Sequence, residues 1–168
     1  MNRTGGGIDR RTFLGATAVG LLAPAAFARG AELYAALSAS EYAYISPLLA
    51  SGAESSCHGE VWYAWLDDAV VIITASDRWK PRAVRRGLTT ARVWVGGHGR
   101  WKQLIGKNEA FRAAPHFDAR VEASKDPELL ERMLSIFETK YPAEIAGWRE
   151  KMRGGFEDGS RTLLCYAR

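Results

Sequence analysis

Between Thr74 and Arg86 the chain gathers two hydroxyls, Thr74 and Ser76, and five cations, Arg78, Lys80, Arg82, Arg85 and Arg86. That combination suits a phosphate, because charge-assisted hydrogen bonds are the strong kind and arginine offers a planar fork for oxyanions. A solvated helix face can carry the same charges, so position must separate the two readings. The cluster follows directly on Ala69 to Thr74, a short, continuous, β-branched run that reads as a buried strand. Ala91 to Val95 reads as the next strand. Between them Pro81 suits the first turn of a short helix, and Gly87 can end it. The connection between two buried strands is a good place to hold an anion.

Other chemistry is sparse. His58, His98 and His116 are widely spaced in expected loops, and nothing pairs them at metal-ligand spacing. No Ser-His-Asp order with a nucleophile elbow occurs, and no carboxylate pair marks a site. If the protein is an enzyme, a cofactor carries the chemistry and the protein supplies position and electrostatics. Cys57 and Cys165 match no metal motif; one disulfide and two free buried thiols are both open readings. Trp62, Trp65, Trp79, Trp94 and Trp101 fall in or near strands, where core or interface packing is the default. Trp79, inside the basic cluster, is the one expected near a ring or an interface.

The elements that must position the cluster follow from periodicity and turn chemistry. Ala31 to Leu37 reads as a short helix, Ser40 to Ile45 as the start of a first strand, and Ser46-Pro47 as its break. Val61 to Trp65 reads as one strand, joined to Ala69–Thr74 by a turn at Leu66-Asp67-Asp68. Gly96 to Gly99 reads as a turn and Trp101 to Ile105 as a fourth strand. Phe117, Ala119 and Val121 alternate with Asp118, Arg120 and Glu122, as in a half-exposed strand. Asp126 as N-cap and Pro127 at the first helical position open a helix ending near Tyr141-Pro142. A second helix is expected over Ala143 to Met152, stopped by Gly154-Gly155, and Arg161 to Tyr166 as a closing strand. Strands adjacent in sequence with short turns imply antiparallel pairing and a barrel, mainly β with flanking helices.

The first 28 residues read as a signal peptide. Arg10-Arg11 precedes Phe13-Leu14 and an alanine-rich apolar run, and Ala26-Phe27-Ala28 offers small residues for cleavage after Ala28. The paired arginines look like a twin-arginine signal, which implies export of an already folded protein, periplasmic or secreted. A retained membrane anchor is the alternative, disfavoured by the shortness of the run. Residues 29–168 then form one domain. The full chain carries a formal charge of +4, and residues 29–168 carry +2, too little to argue for a nucleic-acid face.

Val61–Trp65, Ala69–Gly87, Ala91–Gly96, the late helix and the closing Arg161–Tyr166 together resemble the flavin-binding split barrel of the pyridoxamine 5'-phosphate oxidase superfamily. The resemblance spans about Ile45 to Arg168. It implies an antiparallel split barrel, a homodimer and an FMN or deazaflavin in a groove between subunits, with haem in some relatives. Thr74 and Ser76 are implied as hydroxyl donors to the cofactor phosphate, and Lys80, Arg82 and Arg78 as its charges. Trp62, Tyr63 and Ala64 are implied to lie along the ring. The family often has Ser-Arg-Lys-Ala where this chain has Lys80-Pro81-Arg82-Ala83. The expectation is an exported FMN-dependent oxidoreductase exchanging hydride with a small organic substrate. A non-catalytic flavin- or haem-binding protein, and an interaction barrel with an acidic partner, are the alternatives.

Overall fold

The computed structural model describes residues 23–99 and 109–168, with side chains from residue 29 onward. Among the described residues seven strands form one sheet: β1 (Ala43–Pro47), β2 (Gly59–Val61), β3 (Ala64–Leu66), β4 (Ala69–Ala75), β5 (Thr90–Val95), β6 (His116–Ser124) and β7 (Arg161–Ala167). Their order is β2-β1-β5-β6-β7-β4-β3, and every pairing is antiparallel. The helices are α1 (Ala23–Ala39), α2 (Trp79–Arg85), α3 (Pro127–Lys140), α4 (Pro142–Ile145) and α5 (Arg149–Glu157), with a 3-10 turn at Ala110–Ala113.

The two edge strands dictate the shape. β2 and β3 lie at opposite edges of the sheet, yet only Trp62 and Tyr63 separate them in sequence. A flat seven-stranded sheet is about 29 Å wide at its usual strand spacing. Three Cα steps reach only about 11 Å. The sheet must therefore curl until its edges meet, which makes it a split barrel. The single strand expected over Val61–Trp65 is thus two short strands serving opposite edges.

Alternation along the strands then separates two cores. Ile45, Val70, Ile72, Val93, Phe117, Val121, Leu164 and Tyr166 fill the barrel, joined by Leu33 and Leu37 of α1. Val71, Leu163 and Cys165 point the other way and pack on Leu130, Met133, Leu134, Phe137 and Met152 of the helical layer. β4 is a continuous apolar run because both its faces are covered. β6 alternates because its outer side chains Asp118, Arg120 and Glu122 are exposed. A third cluster, with Tyr44 and Phe111 stacked at 4.8 Å, covers the outside of β1 and β5.

Several local expectations are corrected. β1 begins at Ala43 and runs through Ser46 and Pro47, which pairs with Ala91 at the strand's end, where a proline is tolerated. The helix expected over Ala31–Leu37 is longer, and α1 runs unbroken across Ala28. The helix expected over Ala143–Met152 is two, α4 and α5, and Gly154-Gly155 lies inside α5. The helix ends instead before Gly159, whose φ is +77°. The Asp67-Asp68 turn forms as expected, with both φ values positive (49° and 60°), as a tight hairpin requires. Cys57 is exposed, Cys165 is buried, and both are unbonded. The expected strand Trp101–Ile105 lies outside the described residues. Among the described residues no helix is long and apolar enough to cross a membrane.

Candidate functional site

β4 carries Thr74 to the end of the sheet, and the chain turns into α2 within five residues. α2 stops where expected: Gly87 takes φ +84° while its N–H and that of Leu88 return to the carbonyls of Val84 and Ala83 at 2.9 and 3.0 Å. This is the paired closure a glycine permits at a helix C-terminus. Lys80 Nζ sits 4.5 Å from the centre of the Trp79 ring. A Cβ at Gly59 would lie 3.1 Å from Lys80 Nζ and 3.3 Å from Trp79 Cζ2, so the bare backbone of β2 makes room for both.

Lys80, Thr74 and Trp62 line one groove of about 340 Å³, together with Glu60, Val61, Ile73, Phe137, Trp148, Met152 and Arg161. That volume is in the range of small-ligand sites. Trp62 forms one aromatic wall, stacked on Tyr141 at 4.7 Å and edge-on to Phe137 at 6.3 Å. Trp148, 42% exposed, is on the helical side. Burial pushes the Lys80 ammonium down to about 8, an effect that Glu60 opposes and Arg78 reinforces. Neither Lys80 nor Arg161 makes an ion pair among the described residues. The Thr74 hydroxyl likewise makes no hydrogen bond among them. A hydroxyl-bearing residue and two cations outside any ion pair, against the single carboxylate Glu60 and beside aromatic faces, suit a planar ligand that carries an oxyanion. A larger hollow of about 490 Å³ beyond Arg161 contains Glu157 and Asp158 but none of the tryptophans. Arg161 lines this hollow as well, with Lys125, so two carboxylates stand there against two cations, whereas the groove has one, Glu60, against two; the hollow is the poorer anion site.

Several residues expected at the site stand elsewhere. The Ser76 hydroxyl donates to the Gly159 carbonyl at 2.8 Å and shares a 2.7 Å hydrogen bond with Thr162, so it ties β4 to the start of β7. Arg85 donates to the Ser76 carbonyl. Arg78 and Arg82 are exposed and lie outside the groove lining. Trp79 packs against the barrel core with Lys80 over its ring. Tyr63 is fully buried: its hydroxyl donates to the Leu37 carbonyl at 2.8 Å, its N–H to the Tyr141 hydroxyl at 3.1 Å, and its carbonyl accepts from Lys140 at 3.3 Å. Ala64 is buried in the β3–β4 pair. Of that segment, Trp62 is the residue left facing the groove. Arg161, Trp148 and Glu60 were missed, because they come from other parts of the chain and only the folded sheet end brings them together.

None of the three histidines lines the groove, and among the described residues no group of three His, Cys, Asp or Glu could hold a metal ion. His98 sits beside Tyr44, donating its backbone N–H to the tyrosine hydroxyl at 3.0 Å. Tyr44 in turn donates to the Gly99 carbonyl at 2.6 Å.

No protein-family model matches the sequence, and no curated protein matches it. Solved structures do match the fold. The chain is similar to the conserved hypothetical protein Rv2991 from Mycobacterium tuberculosis, with a TM-score of 0.53 and 16% identity over 82% of this chain and 78% of that one. It is similar to HutZ, the heme storage protein from Vibrio cholerae, with a TM-score of 0.52 and 10% identity over 82% and 89%. It is also similar to ChuZ from Campylobacter jejuni, with a TM-score of 0.53 and 12% identity over 84% and 54%. At these identities the likeness is one of fold: an antiparallel split barrel with flanking helices.

Proposed function

We propose that the groove binds FMN, and that the protein is an exported flavin-dependent oxidoreductase of the pyridoxamine 5'-phosphate oxidase-like type. The observation that carries this reading is the meeting of Thr74, Lys80 and the Trp62 face in one groove in which two cations, Lys80 and Arg161, face one carboxylate, Glu60. In this reading Thr74 donates its hydroxyl to the phosphate, Lys80 supplies charge, and Trp62 packs along the ring. When bound, the flavin supplies hydride exchange with a small organic substrate. The chain's own part is to anchor the phosphate, fix the ring against Trp62 and keep water from that apolar face. A deazaflavin presents the same phosphate-bearing tail and is served by the same residues. A homodimer and periplasmic location complete the proposal; the exposed Trp148 and Leu49 are apolar surface that a second subunit can cover.

Haem storage or binding without turnover is the second reading, favoured by the fold shared with HutZ. Haem iron takes histidine, cysteine, methionine or tyrosine as its axial ligand. Among the described groove residues only Met152 is of these types, and it is buried. The groove therefore favours flavin. An absorption spectrum of the purified protein, with mass analysis of anything released on denaturation, tests the choice. A flavin band is expected. A Soret band would replace the proposal with the second reading, and a protein left colourless after addition of FMN would end both.

A further inference from the structure

We infer that Arg161 supplies the guanidinium that grips the ligand's oxyanion in this groove, and that residue 155 is glycine so that Arg161 can lie there. The identity of the ligand rests on the flavin reading; the presence of an anion site does not. Arg161 opens β7 and pairs with Ala75, next to the pair formed by Thr74 and Thr162. Directly opposed residues share a face, so the Arg161 side chain takes the face of Ile73 and Leu163, toward the helical layer, and Thr74 takes the other; both residues line the groove. Its stem lies flat on α5: a Cβ at Gly155 would come within 2.7 Å of Arg161 Cδ and 2.8 Å of Cγ, closer than carbon atoms pack. Its guanidinium lies 5.4 Å from the centre of the Trp148 ring, a cation–π contact that fixes the head without neutralising it.

Arg78, Arg92, Arg112, Arg132, Arg149 and Arg153 pair with carboxylates, and Arg82, Arg85, Arg86, Arg120 and Arg168, which show no such pair among the described residues, are exposed and outside the groove lining. Arg161 makes no such pair among the described residues, although Glu157 and Asp158 are close in sequence; Asp158 accepts the Ser160 N–H instead. Lys80 lines the same groove. Glu60 is the carboxylate among the described lining residues and acts on Lys80; an oxyanion in the groove can accept charge-assisted hydrogen bonds from Lys80 and Arg161. The oxyanion is a phosphate if the ligand is FMN, or a propionate carboxylate if it is haem.

The test compares ligands that differ only in the anion. Affinities for FMN and riboflavin are measured for the wild type, Arg161→Ala, Arg161→Lys, Gly155→Ala and the Gly155→Ala/Arg161→Ala double variant, with thermal melting of each. The wild type is expected to prefer FMN. Arg161→Ala should shrink that preference about tenfold or more, and Arg161→Lys should restore part of it. Gly155→Ala should match Arg161→Ala, and the double variant should lose no more than Arg161→Ala, because the two changes act through one side chain. An unchanged FMN-to-riboflavin ratio in Arg161→Ala overturns the inference. If the protein takes hemin instead, hemin and its dimethyl ester replace the two flavins, with the same expectation. A wild type that binds none of these ligands ends the cofactor readings alone. Calorimetric titration with pyrophosphate then decides: binding lost in Arg161→Ala supports the inference, and equal or absent binding in both proteins overturns it.

Discussion

Lys80 has a pH signature with two opposite signs, which separates its role in binding from its role in stability. Burial lowers its ammonium to about 8, against 10.5 for an ordinary lysine. Between these values the unfolded chain holds a proton that the ligand-free native state has shed, so the stability of the ligand-free protein rises with pH. An oxyanion binds the protonated form, so affinity for FMN should fall over the same interval, by up to about tenfold per pH unit above 8. Urea titrations and FMN titrations between pH 7 and 10 read the two trends. Lys140 is likewise lowered to about 8 by burial, its ammonium 3.3 Å from the centre of the Tyr63 ring. It is absent from the groove lining, so Lys140→Met should blunt the stability trend and leave the binding trend intact. Lys80→Met should flatten the binding trend and weaken FMN at pH 7 by about 1.5–3 kcal/mol, as loss of a charged hydrogen bond does. Thr74→Val keeps shape and removes the hydroxyl; it should weaken FMN by about 1 kcal/mol and leave riboflavin unchanged.

Local chemistry made most of the elements legible. α3 is the clearest: Asp126 accepts the Glu128 N–H at 2.8 Å, Pro127 follows, and Leu130, Met133, Leu134 and Phe137 are buried on one face. Asp126→Ala should therefore cost about 1 kcal/mol in a denaturation experiment, the usual loss for an N-cap. The β4–α2–β5 unit was equally readable, because a doubly buried strand, a helix-closing glycine and a β-branched strand each leave a local mark. Gly154-Gly155 misled for a physical reason. Glycine weakens a helix, but Gly155 is there for the close approach of Arg161, a tertiary contact with no local trace. The break at Trp62-Tyr63 was hidden in the same way, since nothing in a run of strand-forming residues shows that its halves pair at opposite edges. The candidate site was half legible for this reason. Thr74, Lys80 and Trp62 lie in segments whose pattern marks them, whereas Arg161 and Trp148 enter only through the end of β7 and the helical layer. Ser76 has the right chemistry, but β7 occupies its hydroxyl.

At the scale of the whole molecule, the barrel depends on a helix that begins within the segment expected to be a cleaved signal. α1 runs from Ala23 to Ala39 without interruption at Ala28. Its described attachments all lie beyond that point: Leu33 and Leu37 are buried in the barrel core at 4% and 1% exposure, and the Leu37 carbonyl accepts the buried Tyr63 hydroxyl. Tyr34 adds an edge-on contact with Trp65 at 6.2 Å. A chain starting at Arg29 keeps every one of these contacts. It should fold and melt within about 5 °C of the full-length protein, a shift corresponding to about 1 kcal/mol or less. A chain starting at Ser40 loses two core leucines, at about 1.5–3 kcal/mol each, and strands the Tyr63 hydroxyl inside the barrel. The sum approaches the whole stability of a domain this size. That chain should therefore be largely unfolded by circular dichroism at 37 °C. Because Tyr63 joins the two edge strands, the same loss would loosen barrel closure and the groove beside it. If the shorter chain instead melts like the longer one, α1 is an appendage, and the barrel closes without it.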